Sequence, residues 1–333
     1  RIECRRQRQM CIRDRYRNES ALELMDATLE VEDLLRGEAR LRVLLGKVAR
    51  LDILGRREEQ GTAIDEALAL VDADTPADLA IEARIAKATA HDRAGEFEAA
   101  EALLAACVKE TKAAGDASGE ANARGRLGNV HFALGRYEEA RAEYTASLAL
   151  AREEGDRKQE AMATGSLGNV FAVEGRYTEA EPLIEALIGI ANETGNRRVE
   201  GAGYGNLGTI ALMQGRYDDA LSFFERRLAI ARETGDRHGE AFAVGHIGNT
   251  LREVGRLDEA YTHGERYVAI AEEIGDPQEH ALAIGYLGDT LSRLGRRDEA
   301  CACYERQLKL ALEIGDHLGE TKARQSLGSH YLA

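Results

Sequence analysis

The 333-residue chain reads as an all-α protein, a right-handed α-solenoid of antiparallel helix hairpins. Three recurrences predict it. Leu-Gly stands at 127–128, 167–168, 207–208, 287–288 and 327–328, with Ile247-Gly248 in the remaining register. Gly-Arg stands at 135, 175, 215, 255 and 295, and Gly-Asp or Gly-Asn at 115, 155, 195, 235, 275 and 315. Every interval is 40 residues, and one hairpin of that length cannot bury its own apolar face, so copies must stack. Stepping back from Gly135 by the same interval reaches Gly95 and Gly55, so the array begins before its clearest copies.

Residues 1–16 are set apart as a non-native or disordered basic arm. Through Arg17 the chain holds seven Arg against Glu3 and Asp14, a net +5 that leaves −20 on the remainder. The string "CRRQRQMCIRDR" resembles the translated read-through of a sequencing adapter. Residues 17–36 form a degenerate partial repeat helix, and the array occupies 37–333. Its copies fall at about 37–76, 77–116, 117–156, 157–196, 197–236, 237–276 and 277–316, with a partial copy at 317–333.

Each copy holds an A helix and a B helix. The Gly-Asp pair closes one helix with a left-handed glycine and opens the next with Asp as N-cap. "DPQE" at 276–279 predicts Asp276 as cap, Pro277 at the first helical position and Glu279 closing a capping box, and "TPAD" at 75–78 is a weaker version. The inner Gly-Arg is the turn between A and B. Pro182 falls inside a predicted helix and should kink it or shift its start.

An acidic remainder with no basic stripe argues against nucleic acid as a partner. No apolar run is long enough to span a bilayer, so no membrane partner is expected. Scattered cysteines (Cys4, Cys11, Cys107, Cys301, Cys303) fit a reducing, cytoplasmic setting and show no metal-ligand spacing. "GYGNLG" at 203–208 imitates a dinucleotide fingerprint but would lie in mid-helix, so no cofactor is expected. The histidines show no metal motif and most are expected on the surface. Nothing assembles a nucleophile, a base and an oxyanion site, and the expectation is no enzyme.

Leu127, Gly128, Ala140 and Tyr144, with the Ala repeating at 180, 220, 260 and 300, resemble the tetratricopeptide repeat. With Gly128 as position 8, Leu127 fills position 7, Ala140 position 20 and Tyr144 position 24. The "LGN…GRY…EA" phrasing is similar to the 40-residue subtype of Pins-like adaptors and bacterial signalling proteins, and differs from the commoner 34-residue period. On a helical wheel, positions 4, 7 and 11 form the core face and positions 2, 5, 9, 12 and 13 the face lining a concave groove. Glycine fills position 8 in six copies and position 5 in five (Gly125, Gly165, Gly205, Gly245, Gly285). Together these cost on the order of 10 kcal/mol against alanine, so close packing must offset them. At position 8 the expected reason is close crossing of helix B at its small Ala; at position 5, close approach of adjacent A helices or of a bound peptide.

The resemblance implies a protein or peptide ligand in the groove, held at position 9 by Asn129, Asn169 and Asn249, with Thr209 and Asp289 completing the column. Phe132, Val173, Met213 and Phe242 are expected to make the groove apolar, with Arg252 and Arg293 charging its C-terminal end. The leading expectation is a protein-binding scaffold. Two others are a regulatory arm of a larger bacterial signalling protein, and an array self-associating through a C-terminal end where Leu327 and Tyr331 lack a covering B helix.

Overall fold

The computed structural model describes residues 18–31, 34–72 and 74–331, and among these every regular element is a helix. The basic arm at 1–16 and Cys4 and Cys11 lie outside them. Helix α1 spans 18–30. It is followed by α2 (Gly37–Leu54), α3 (Arg57–Ala69), α4 (Ala77–Arg93), α5 (Phe97–Ala114), α6 (Ala117–Ala133) and α7 (Tyr137–Glu154). Then come α8 (Arg157–Val173), α9 (Tyr177–Glu193), α10 (Arg197–Met213), α11 (Tyr217–Thr234) and α12 (Arg237–Glu253). The last are α13 (Leu257–Ile274), α14 (Pro277–Arg293), α15 (Arg297–Ile314) and α16 (His317–Tyr331). From α4 onward even-numbered helices are A and odd-numbered ones B. The chain forms two compact units, Arg1–Ile190 and Ala191–Ala333. In each, consecutive helices pack into stacked hairpins, the solenoid arrangement. No helix of the described residues is long and apolar enough to cross a membrane.

The caps explain the boundaries. Gly115, Gly155, Gly235, Gly275 and Gly315 close B helices in the left-handed region, where a Cβ would be strained. The next residue caps the following A helix: Asp116 accepts from the Gly119 amide, Asp156 from Gln159, Asn196 from Val199 and Asp236 from Gly239. Asp276 caps α14 with Pro277 at its first turn, but no capping box closes there. The Glu279 carboxylate instead accepts from the Tyr267 hydroxyl at 2.7 Å, so the ring of the preceding B helix takes the group that would have reached back. At "TPAD" the N-cap is Pro76, because Thr75 is drawn into a turn with Asp72, to which its hydroxyl donates at 2.8 Å. Pro182 does not shift its helix: α9 starts at Tyr177, in register with Tyr137 and Tyr217.

The position-8 glycines up to Gly288 face helix B of their own hairpin. A Cβ on Gly128 would lie 2.6 Å from Tyr144 Cε1, one on Gly208 2.6 Å from Phe224 Cε1, and one on Gly288 2.7 Å from Tyr304 Cε1. Position 8 therefore makes room for the position-24 side chain, more than for the Ala at position 20. At position 5, Gly165, Gly205, Gly245 and Gly285 also face helix B, whereas Gly125 approaches Gln159 of the next A helix and borders a small cavity there. A Cβ on Gly125 would meet Gln159 Nε2 at 2.9 Å, one on Gly205 Arg227 Cδ at 2.8 Å, and one on Gly245 Tyr267 Cε1 at 2.9 Å. The buried face of helix A is also wider than positions 4, 7 and 11, taking in Ala123, Ala163, Ala243, Val130, Val170 and Ile210. The cause is that α6, for one, packs against both α5 and α7. Leu327 is not left bare; it rests on the cluster of Leu291, Ala300 and Tyr304.

Buried carboxylates staple one hairpin to the next. Glu240 is 6% exposed and meets Arg232, Arg237 and Arg266. Burial alone would raise its pKa, but the Arg237, Arg232 and Arg266 guanidiniums more than reverse that and hold it below the usual carboxylate range. Glu160 makes the same bridge with Arg152 and Arg157.

The glycine contacts give a paired test. Gly208→Ala drives a methyl into Phe224 and should destabilise by about 1–3 kcal/mol. Gly189→Ala, at an exposed helical glycine with nothing within 4 Å of its Cβ, should stabilise by up to about 1 kcal/mol. Urea melts of the two variants check the opposite signs.

Candidate binding site

In the first unit an open cleft of about 470 Å³ is formed by three successive A helices. Its walls carry Asp78 and Glu82 from α4, Asn122 and Arg126 from α6, and Gln159 and Met162 from α8. A smaller cavity of about 30 Å³ shares the last four and adds Asn129 and Ser166. The second unit has a cleft of about 330 Å³ in the equivalent place, with Leu282 of α14 facing Leu318 and Lys322 of α16. Both clefts lie over the N-terminal halves of A helices, because the C-terminal halves are drawn into the hairpin by the Leu-Gly contacts.

Of the residues predicted from sequence, Asn129 reaches this site. Its side-chain carbonyl accepts from the Tyr144 hydroxyl at 2.8 Å. Asn169 is exposed. Thr209 turns its hydroxyl back to the Gly205 carbonyl at 3.0 Å. Asn249, Arg252, Asp289 and Arg293 come together in a network with one another, which leaves the Arg252 Nε without a hydrogen-bond partner. Arg252 is nearly buried and donates to Asn249, and one of its nitrogens lies 3.5 Å from Asp289. Asp289 accepts from Tyr304 at 3.0 Å, and Arg293 donates to the Arg252 carbonyl at 3.0 Å.

The apolar candidates divide. Val173 and Met213 are exposed, at 53% and 65%. Phe132 packs on the core around Tyr144, its ring 5.5 Å from that of Tyr137. Phe242 is part of the core of the second unit: its ring lies 4.2 Å from His246 and under the Arg227 guanidinium at 4.7 Å. Asn122, Arg126 and Met162 were missed. Residues 122, 126 and 129 follow the i, i+4, i+7 spacing of one helix stripe. Asn122, Gly125, Arg126 and Asn129 together line the smaller cavity, so position 6 belongs beside 2, 5 and 9 in this copy.

"GYGNLG" lies inside α10, with no helix start to aim amides at a phosphate. The histidines are less exposed than expected. His131 is buried, His263 is half-buried, and His246 is packed between Phe242 and Phe224 with no hydrogen bond at Nδ1. Burial, and then the Arg227 cation, push His246 down to about 4.

Tetratricopeptide repeat profiles match residues 119–193, 159–233 and 199–273, and others match 283–318 and 81–106. Among solved structures, the apo form of RapI aligns over 87% of this chain and 82% of its own, at 14% identity and a TM-score of 0.68. A Rap protein complexed with Competence and Sporulation Factor aligns over 87% and 85%, at 16% identity and a TM-score of 0.66. A Signal Transduction ATPase with Numerous Domains from Pyrococcus horikoshii, which carries a tetratricopeptide repeat sensor, aligns over 94% of this chain but 52% of its own, at 15% identity and a TM-score of 0.64. At these identities the likeness is one of fold. No curated protein matches the chain.

The His246 shift carries a sign. In the folded chain the imidazole stays neutral down to about 4, whereas the unfolded chain takes up a proton near 6.5. Stability from this residue is therefore whole above about 6.5 and declines as pH falls towards 4. Between pH 7 and pH 5, wild type should lose more melting temperature than His246→Leu, and the His246 ring should titrate near 4 by NMR.

Proposed function

Because the chain belongs to the tetratricopeptide repeat family, we propose that it is a binding scaffold whose A helices hold a peptide or protein partner in the first-unit cleft. One observation carries this reading. A cleft of about 470 Å³ is walled by three successive A helices and presents the Asn122 amide beside the 43%-exposed Met162. An amide can donate to and accept from an extended backbone, and an exposed thioether offers an adaptable apolar contact. Asn129 and the exposed Asn169 extend the same stripe along α6 and α8. The second unit's network of Asn249, Arg252, Asp289 and Arg293 stiffens its A helices. A Rap protein of similar fold has been captured in complex with Competence and Sporulation Factor, which supports a bound factor as the mode of action.

A second reading, the regulatory arm of a larger signalling protein, draws support from the Pyrococcus horikoshii ATPase, in which a tetratricopeptide repeat sensor accompanies other domains. It uses the same cleft as its input.

The test is capture of immobilised synthetic peptides by the purified chain. Met162→Glu should weaken capture by about tenfold or more, since it buries a charge against an apolar contact. Leu312→Glu, at an exposed position on the B helix α15, should leave capture unchanged. Equal capture by both variants, or no capture by wild type, overturns the reading.

A further inference from the structure

We propose that the chain associates head to tail with a second copy of itself, the A helix α16 of one molecule docking on the B helix α1 of the next to complete a hairpin. The contact is separate from the first-unit cleft and does not depend on it. Helix α1 lies three periods before α7. Leu24 and Ala27 of α1, and Val31 just beyond it, therefore stand in the register of Tyr144, Ser147 and Ala151. Those three are buried in the α6–α7 hairpin, at most 3% exposed. On α1 the same stripe faces outward: Leu24 is 70% exposed, Val31 51%, and Ala27 is exposed as well. Another side of α1 is already seated, with Leu22 in the cluster of Val48, Leu51 and Ile64.

Helix α16 is the converse, an A helix that packs back on α14 and α15 with no B helix of its own among the described residues. Its position-8 glycine marks the missing neighbour. A Cβ on Gly128, Gly168, Gly208, Gly248 or Gly288 would meet a helix B atom within 3.2 Å, but one on Gly328 meets nothing within 4 Å. The position-24 side chains Tyr144, Ile184, Phe224 and Tyr304 cover four of those glycines, and on α1 position 24 is Leu24. An exposed leucine on one helix and an open glycine on the other are the two halves of the contact that joins α6 to α7. Bringing them together removes apolar surface from water, which is the driving force of every other junction in the array.

Charge selects the occupant. From 18 to 31 the chain holds Glu19, Glu23, Asp26 and Glu30 and no Lys or Arg, so two α1 faces repel each other. Helix α16 brings Lys322 and Arg324 against Glu320. Register places one pair. In the α6–α7 hairpin Arg124 meets Glu120 of its own helix and Glu143 of the B helix, each at 2.7 Å. Five periods on, Arg324 pairs with Glu320 in the same way, and three periods back from Glu143 stands the exposed Glu23. Docking α16 on α1 gives Arg324 its second carboxylate. Such a contact is heterologous, so each molecule keeps one face free for the next.

Sedimentation velocity of the full chain over rising concentration reads the association, with one variant for each face. Leu24→Glu puts a charge on the α1 stripe, and Gly328→Leu fills the open place on α16, where the chain's own fold leaves room. Both substitutions fall on open surface, so both variants should melt no lower than wild type in dilute solution. Wild type should grow beyond the monomer as concentration rises. Each variant alone should associate at least about tenfold more weakly. An equimolar mixture of the two should recover a one-to-one complex and stop there, since it pairs the intact α16 of one with the intact α1 of the other. Wild type that stays monomeric, a Gly328→Leu chain that still pairs through an α1-to-α1 contact, or a mixture that does not pair overturns the proposal.

Discussion

Everything else in the array depends on bare backbone in the A helices meeting large side chains of the B helices. Glycine in a helix interior costs about 1 kcal/mol against alanine, and each clear copy accepts that cost twice. In exchange Tyr144, Phe224 and Tyr304 lie against the helix backbone at distances a methyl group would forbid. The exception shows the rule. Where position 24 is Gly264, Gly248 loses its large partner, and Leu287 of the next A helix moves into the vacancy beside Gly264, 3.1 Å from where its Cβ would stand. With each B helix seated this way, the stripe of positions 2, 6 and 9 is the part of helix A left to form a cleft.

Charge plays two roles in this frame, and two arginines separate them. Arg252 is nearly buried, yet Asn249, Asp289 and the Tyr286 carbonyl surround it, so its charge is used in joining α12 to α14. Arg126 is half-buried at the wall of the first-unit cleft and has no carboxylate of the described residues within ion-pairing distance. The staples on Glu160 and Glu240 belong with Arg252: each carboxylate is enclosed by cations from both sides of a helix junction. A buried charge explained by its neighbours speaks of architecture.

The period, the hairpins and most caps were legible in the sequence because each is a local event. A left-handed glycine followed by Asp or Asn has one economical use at a helix junction, and six copies repeat it. The site was legible only in part. A helical wheel orders residues by angle but does not say on which side the second helix lies, so position 5 was given to the groove, where Gly125 borders the small cavity but Leu187, Arg227, Tyr267 and Gln307 cover its counterparts. Phe132 and Phe242 were given to the groove for being apolar, and each proves to pack on core rings. Asn249 and Asp289 share a column with Asn129, but Arg252 and Tyr304 claim them. Those claims arise between residues 3 to 37 apart in sequence, a distance at which single-column reading has no access.

The same glycines explain how copies can diverge without losing their period. Opposite position 5 the B helices present Ser147, Leu187, Arg227, Tyr267 and Gln307, five side chains of different size and polarity at one structural place. A Cβ on helix A would have limited that list to small or slender residues. Without it, Ser147 can donate to the Ala121 carbonyl at 2.7 Å while Arg227 lies over Phe242 at 4.7 Å, each in its own unit. The second of these puts a guanidinium and the His246 ring together in a setting where leucine, as in Leu187, would suffice for packing. Stability alone does not select such an exchange, because burial lowers the pKa of both groups and the Arg227 cation adds to the drop at His246. Glycine thus fixes the backbone spacing and frees the chemistry around it, from the Ser147 hydroxyl in one copy to the Arg227 guanidinium in another.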